Sequence, residues 1–415
     1  MADVTTADRT IDILDPRLYD DPWDTYRWMR EHDPIHYDAK NDLYVVSRHE
    51  DVSAISRNAD RYSAAQGVRP NVPAVMSIIS MDDPEHTRQR RIISKGFTPR
   101  KVRELTEHMR EVCNQVIDEI ADRGEIDVVE DFAIHLPLII IAELMGLDPD
   151  QRMKLYRWSD DMMAGDGHTD PDDPVTIAAG VAFGEYVAEC TKLIEERRTA
   201  PTDDIISILT GAYDAGDLDW DEAHKAEADA ANDLSDDELL MFLTLLVVAG
   251  NETTRNAITG GLIAFSRFPD ERAKLQADPE LIDAAVDEIV RYVSPVLSFH
   301  RTVTEAHTYK GVDFEPGDRI LMLYQSANRD ETVFDDPDTF RIDRSPNNHL
   351  GFGIGTHYCL GANLAKAELK VVFQELFRRL PDIEVADESK LERGDSSLVT
   401  SIAHLPGVFT PEHAV

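Results

Sequence analysis

Apolar and polar positions alternate along residues 35–48, IHYDAKNDLYVVSR, around Asn41-Asp42, and this spacing predicts a β-hairpin. A second alternating region, HRTVTEAHTYKGVDFEPGDRILMLY (300–324), carries turn signals at Lys310-Gly311 and Pro316-Gly317. A short third strand pair is expected near 398–409. Elsewhere the apolar spacing lengthens to three and four, and nearly all of 85–295 reads as helix. With no solenoid-type repeat and no low-complexity linker, residues 1–415 are expected to form one mainly α domain with small β-sheets.

The best-marked helix begins at Ser235. Ser235-Asp236-Asp237-Glu238 has capping-box spacing before the apolar run LLMFLTLLVVAG, and no proline follows until Pro269. About 33 continuous residues make a rod of roughly 50 Å. Near its middle, AGNETT (249–254) places Gly, Asn, Glu and two Thr in an apolar helix. Thr hydroxyls bond back to the preceding turn and Gly weakens the ladder, so a local bulge is expected there. A change from buried to exposed face is the other reading. The preceding stretch, 214–235, is acidic, poor in large apolar residues and expected to be an exposed connection.

Composition narrows the class. A hydrophobic fraction of 42% and a charged fraction of 29% are ordinary for a globular protein. The longest apolar run falls well short of the roughly 20 residues of a membrane helix, so no integral membrane segment is expected. The start, MADVTTADRTIDILDP, lacks a basic-then-apolar leader. Cys113, Cys190 and Cys359 are odd in number, widely spaced and without a C-x-x-C pair, which argues against a disulfide framework or structural zinc and for a cytoplasmic location. The net charge of −38 argues against nucleic acid or anionic membrane as partner. It is unevenly spread: 86–103 holds seven Arg or Lys and no acid, while 203–238 holds thirteen acids and one lysine. These are either two solvated faces, or the basic segment faces an anionic group or an acidic partner.

The stretch FGIGTHYCLG (352–361) sets three glycines and a histidine around Cys359, directly before the helical pattern ANLAKAELKVVFQELFRRL. Glycine costs backbone entropy, so the cluster implies tight turning or close approach to something bulky. A thiol at a helix entry feels the positive end of the dipole and is expected to be pushed toward thiolate. Cys113 and Cys190 read as buried apolar fillers.

Together these features resemble the cytochrome P450 family of haem-thiolate monooxygenases. Its F-G-x-G-x-H-x-C-x-G pattern is met at Phe352, Gly353, Gly355, His357, Cys359 and Gly361. Its A-G-x-[DE]-T-[TS] pattern is met at Ala249, Gly250, Glu252, Thr253 and Thr254, and E-x-x-R at Glu288 and Arg291. Order and spacing agree over essentially the whole chain. The resemblance implies a triangular helical prism with the long helix crossing a haem b, iron protoporphyrin IX, whose iron takes the Cys359 thiolate as axial ligand. It makes Phe352 a shield beside that ligand, and Thr253 with Glu252 a proton relay. Small Ala249 and Gly250 would leave room for O2. Glu288 and Arg291 would be a buried pair bracing the cysteine loop. The family's further arginine, from a P-x-R-F segment, is here Thr339 in Pro337-Asp338-Thr339-Phe340, leaving Arg341 or Arg344 to compensate.

By the same resemblance His86, Arg90, Arg301 and His357 would hold the haem propionates. Arg88, Arg91 and Lys95 would dock an acidic ferredoxin, itself reduced by an NAD(P)H-dependent ferredoxin reductase. The substrate pocket would draw on 67–79, on 160–185, and on Leu245, Val248, Ala249, Val296, Leu297 and Phe299; its apolar lining implies a hydrophobic small molecule. The expected reaction is hydroxylation or epoxidation, with O2 and two electrons, of a steroid, terpenoid or branched or fatty lipid. Arg69, the one cation of 67–79, keeps a fatty-acid carboxylate open. The alternatives are a same-fold peroxygenase or isomerase needing no redox partner, and a non-catalytic haem-binding sensor.

Overall fold

The computed structural model describes residues 11–412 except 71, 73, 75, 76, 166, 167, 169, 212–233 and 395. The acidic connection expected at 214–235 therefore lies, up to residue 233, outside the described residues.

Two-residue periodicity becomes sheet where it was expected. Ile35–Asp38 pairs antiparallel with Leu43–Val46, and Asp42 turns between them at φ 51°. This hairpin is one edge of a five-stranded sheet ordered Ile35–Asp38, Leu43–Val46, Arg319–Leu323, Ser298–Val303, Tyr62–Ser63. His307–Tyr309 and Val312–Phe314 form a separate hairpin turning at Lys310-Gly311. The expected third pair is corrected. Ile402–His404 pairs with Glu392–Arg393, whereas Pro406–Val408 pairs with Glu125–Asp127 and Glu384–Val385. Only Leu405 separates the two segments, and one residue cannot reverse a chain into a hairpin.

The long helix runs Asp236–Arg267. Its capping box is complete: Ser235 Oγ accepts from the Glu238 amide at 3.2 Å, and Glu238 Oε2 accepts from the Ser235 amide at 2.8 Å. Glu238 Oε1 also takes Gln89 Nε2 at 3.0 Å and the Arg88 guanidinium, tying the helix start to the basic helix Glu85–Ile93. No bulge forms at 249–254, where the α-helix is continuous. Thr253 Oγ1 adds a bond to the Ala249 carbonyl at 2.7 Å, as Thr244, Thr259 and Ser266 do to their own preceding turns. The hydroxyl supplements the ladder instead of replacing a rung. Around this rod the main apolar core packs the helices Pro99–Ile120, His135–Leu144, Ile282–Val293 and Ala362–Arg379.

Candidate active site

One face of the long helix opens on a cavity of about 240 Å³. Phe242, Leu245, Leu246, Ala249, Gly250, Thr253, Thr254 and Ala257 line it. Their spacing of three and four is the signature of a single helical stripe. Val248 and Glu252 lie on the next stripe and do not line the cavity, which corrects the pocket expectation for Val248. Glu252 is instead 4% exposed and ion-paired with Arg255, whose guanidinium also lies 3.8 Å from Asp160. Burial pushes its carboxyl up to about 7 despite Arg255, and its Oε1 makes no hydrogen bond. At Gly250 an added Cβ would stand 2.7 Å from Ile141 Cδ1, so that side chain would have to shift.

The cysteine loop forms another wall. The Cys359 amide donates to the Phe352 carbonyl at 2.8 Å, and Gly353 takes φ 68° to bend the loop back. Gly355, at φ 79°, has a different duty: a Cβ there would stand 2.7 Å from the Ser56 carbonyl oxygen, so its bareness seats the loop on the helix His49–Arg57. Phe352 lines the cavity with Lys366 Nζ 5.5 Å from its ring centroid. Cys359 also lines the cavity, but the expected push toward thiolate is outweighed. Burial drives its thiol up, opposed by the Gly361 amide and by Arg90. A metal cation in the cavity is what would ionise it. Cys113 and Cys190 are buried elsewhere, their thiols pushed up to about 12 by burial.

His86, Arg90, Arg301 and His357 converge on the cavity. The two imidazole rings stand 4.3 Å apart, and His86 Nδ1, His86 Nε2 and His357 Nε2 have no hydrogen-bond partner. Arg301, 4% exposed, donates to the His300 carbonyl at 2.8 Å, and Arg90 to the Tyr358 carbonyl at 2.6 Å. Among the described residues no carboxylate hydrogen-bonds any of the four; Asp83 stands 3.8 Å from His86. Burial pushes His357 down to about 3 and lowers the other three. Imidazole nitrogens left without partners in such a site are costly, and a ligand bearing carboxylates would satisfy them beside the two guanidiniums. Cysteine, four donors and apolar walls together fit a haem.

Glu288 and Arg291 are both fully buried and bonded through two contacts, Nε to Oε2 at 2.7 Å and Nη2 to Oε1 at 2.8 Å. Arg344 Nε reaches the same carboxylate, Asn347 Nδ2 bonds Oε2 at 3.2 Å, and Arg341 contributes only its backbone amide at 2.8 Å. Of the two compensating candidates, Arg344 is therefore the second cation. Thr339 takes part through its carbonyl, which accepts from Arg291 at 3.2 Å and from Arg344 at 2.8 Å.

Among the substrate-pocket expectations, Leu245, Val296 and Phe299 line the cavity. Leu297 does not: it lies just before the strand Ser298–Val303 and packs 3% exposed with Ile13, Leu321 and Leu323. Among the described residues of 67–79 only Ile78 and Ile79 line the cavity; Arg69 does not, nor does any described residue of 160–185. Arg88 is engaged by Glu85 and Glu238, which removes it from the proposed docking cations. Sequence reasoning missed Tyr324 and Glu368, which also line the cavity. Glu368 was detectable as a lone charge four residues after Leu364, on the apolar face of its helix.

Comparison with known proteins agrees with this arrangement. Residues 185–402 match the family described as Cytochrome P450. A steroid C26-monooxygenase of Mycolicibacterium smegmatis is 35% identical, covering 98% of this chain and 97% of its own. Another, of Mycobacterium tuberculosis, is 36% identical over 93% of both chains. Among solved structures, the cytochrome P450 PksS of the Bacillus subtilis bacillaene polyketide synthase superposes with a TM-score of 0.84 at 31% identity, covering 96% of this chain and all of that one. CYP109E1 from Bacillus megaterium in complex with testosterone gives 0.81 at 29% identity, covering 93% and 99%. No helix among the described residues is long and apolar enough to cross a membrane. Whole-length relatedness and the cysteine-closed cavity lead to one conclusion: the chain belongs to the cytochrome P450 family, haem enzymes with a cysteine thiolate axial ligand, and is a monooxygenase.

Proposed function

We propose that this enzyme hydroxylates a steroid or similarly shaped lipid, inserting one oxygen atom of O2 with two electrons delivered by a ferredoxin. One observation carries the substrate class. Among the described residues, the ionisable side chains lining the cavity are the four donors, Cys359, Tyr324, Tyr358 and Glu368, while Phe242, Leu245, Leu246, Ile78, Ile79, Val296 and Phe299 make most of the rest apolar. A substrate held there is a hydrocarbon body without an anionic head, since Arg69 does not line the cavity. The names of the mycobacterial relatives point the same way.

The haem, when bound, supplies dioxygen activation, and the Cys359 sulfur is its ligand. His86, Arg90, Arg301 and His357 would hold the propionates by charge-assisted hydrogen bonds. Thr253 presents its hydroxyl on the cavity stripe, back-bonded to Ala249, and orients a proton there. Glu252, one residue away and poised near 7, reloads it when Arg255 lets go. The apolar walls exclude bulk water. Arg91, Lys95 and Arg103 form no ion pair among the described residues, and these cations would steer an acidic ferredoxin in a salt-dependent way.

The test is direct. The reduced, carbon-monoxide-bound protein should show the thiolate-type Soret band. Titration with steroids should shift the iron spin state at lower concentrations than titration with fatty acids. Turnover should require NAD(P)H, a ferredoxin and its reductase. Tighter binding of fatty acids, or turnover with peroxide alone at the same rate, would overturn the reading.

A further inference from the structure

Residues 174–184, PVTIAAGVAFG, carry no charged side chain, in a chain where 29% of residues are charged. They open the helix Pro174–Thr199. One side of that helix is buried: Ala182, Tyr186, Cys190 and Leu193 pack inward, and the Tyr186 hydroxyl donates to the Leu243 carbonyl of the long helix at 2.6 Å. The opposite side presents Ile177, Val181, Gly184 and Ala188, all exposed. Ile177 is 53% and Val181 57% exposed, although both are large aliphatic side chains one turn apart. A Cβ added at Gly180 or Gly184 would meet nothing within 4 Å, so no described residue covers the face. Adjacent apolar side chains left in water on a charge-free surface mark a place of contact.

The order of side-chain sizes says what makes that contact. Along the helix the face reads large, large, small, small, with steps of four, three and four residues that are the same in either direction. A second copy of the helix, laid antiparallel about a two-fold axis midway between Val181 and Gly184, sets Ile177 opposite the second copy's Ala188 and Val181 opposite its Gly184. Each large side chain then enters the gap left by a small one, as an isologous contact requires. The same register brings the acidic helix start, Asp172 and Asp173, to Lys192, whose exposed ammonium lies no nearer than 3.7 Å to Glu189 and Glu196. It also opposes the two helix dipoles. A lipid surface suits the face less well, because an interfacial helix flanks its apolar side with Lys or Arg, and the flanks here are Asp170, Asp172, Asp173 and Glu185. Two chains of net charge −38 repel each other, and a face without charge is where they can approach closely. We propose that the Ile177–Ala188 face is a homodimer interface, an antiparallel pairing of the Pro174–Thr199 helices of two copies.

The experiment is sedimentation velocity on the haem-loaded enzyme and its variants, with the thiolate-type Soret band as the check on folding. The wild type should be dimeric in the micromolar range. Val181→Asp, at an exposed position, should raise the dimer dissociation constant roughly tenfold or more. Gly184→Leu is the sharper variant. It adds apolar surface where the single chain has room, so it would tighten any contact that needs only apolar area. Here it fills the gap that receives Val181 and should weaken the dimer by a similar factor. Under mild oxidation, a mixture of Val181→Cys and Gly184→Cys subunits should cross-link faster than either alone, since Cys113 and Cys190 are buried. A wild type that stays monomeric throughout the micromolar range, a dimer that Gly184→Leu tightens, or binding of the monomer to phosphatidylcholine vesicles in place of dimerisation would overturn the proposal.

Discussion

Arg344 Nε lies 3.1 Å from Glu288 Oε2 and 3.2 Å from Oε1, so one fully buried carboxylate is the counter-charge shared by two guanidiniums, Arg291 and Arg344. Glu288→Gln keeps the shape of the side chain but leaves both cations without counter-charge. A loss of about 3–5 kcal/mol is expected from such an uncompensated site. Urea unfolding should show it as a lower midpoint, together with loss of the thiolate-type Soret band.

Gly355→Ala tests the seating of the cysteine loop. The substitution forces a side chain into φ 79° and against the Ser56 carbonyl. The left-handed conformation alone costs about 1–2 kcal/mol, and the clash adds to it. Gly361→Ala, where nothing lies within 4 Å of the added Cβ, serves as the contrast in the same thermal scan.

Arg301→Leu removes a nearly buried donor from the anion-binding end. A hydrogen bond to a charged group contributes about 1.5–3 kcal/mol. Haem transfer to excess apomyoglobin should therefore quicken roughly ten- to a hundredfold.

Thr253→Ala removes the cavity hydroxyl while leaving the Ala249 carbonyl its helical bond. Electron consumption should continue as product falls and peroxide rises. A loss of product per electron on the order of a hundredfold is expected of positioned acid catalysis. Coupling equal to the wild type would count against the assigned role.

Glu252 gives a stability signature with a definite sign. Its folded value, about 7, lies above the ordinary 4.5, so between these pH values the folded state holds a proton that the unfolded state has released. Stability attributable to this group therefore falls as pH rises through that window, by about 3 kcal/mol in all. Glu252→Gln should flatten the dependence between about pH 5 and 7, as read from unfolding midpoints across pH.

What could be read from the chain alone was whatever is decided within a few residues. The capping box of Ser235 and Glu238 needs only four positions, and the hairpin around Asn41 only an alternation and a turn. The cysteine loop is similar, because its bends are local. Contacts closed by distant parts of the chain were less visible. Arg344 meets Glu288 across 56 positions, and nothing in the local pattern ranks it above Arg341. The pocket assignments for Val248 and Leu297 failed for a different reason. Neighbours in sequence were grouped together, although a helix turns about 100° per residue and so carries Val248 off the stripe of Leu245 and Ala249, and Leu297 stands just outside the strand that holds Phe299.

The hold of Glu238 on both Ser235 and the pair Arg88 and Gln89 makes two distant events one. Fraying of the first turn of the long helix releases the helix that carries His86 and Arg90. With His86 and Arg90 holding the cofactor as proposed, its residence time should follow a local unfolding step at a helix terminus, remote from the iron ligand. Amide exchange at Leu239 and at Arg90 should rise and fall in step.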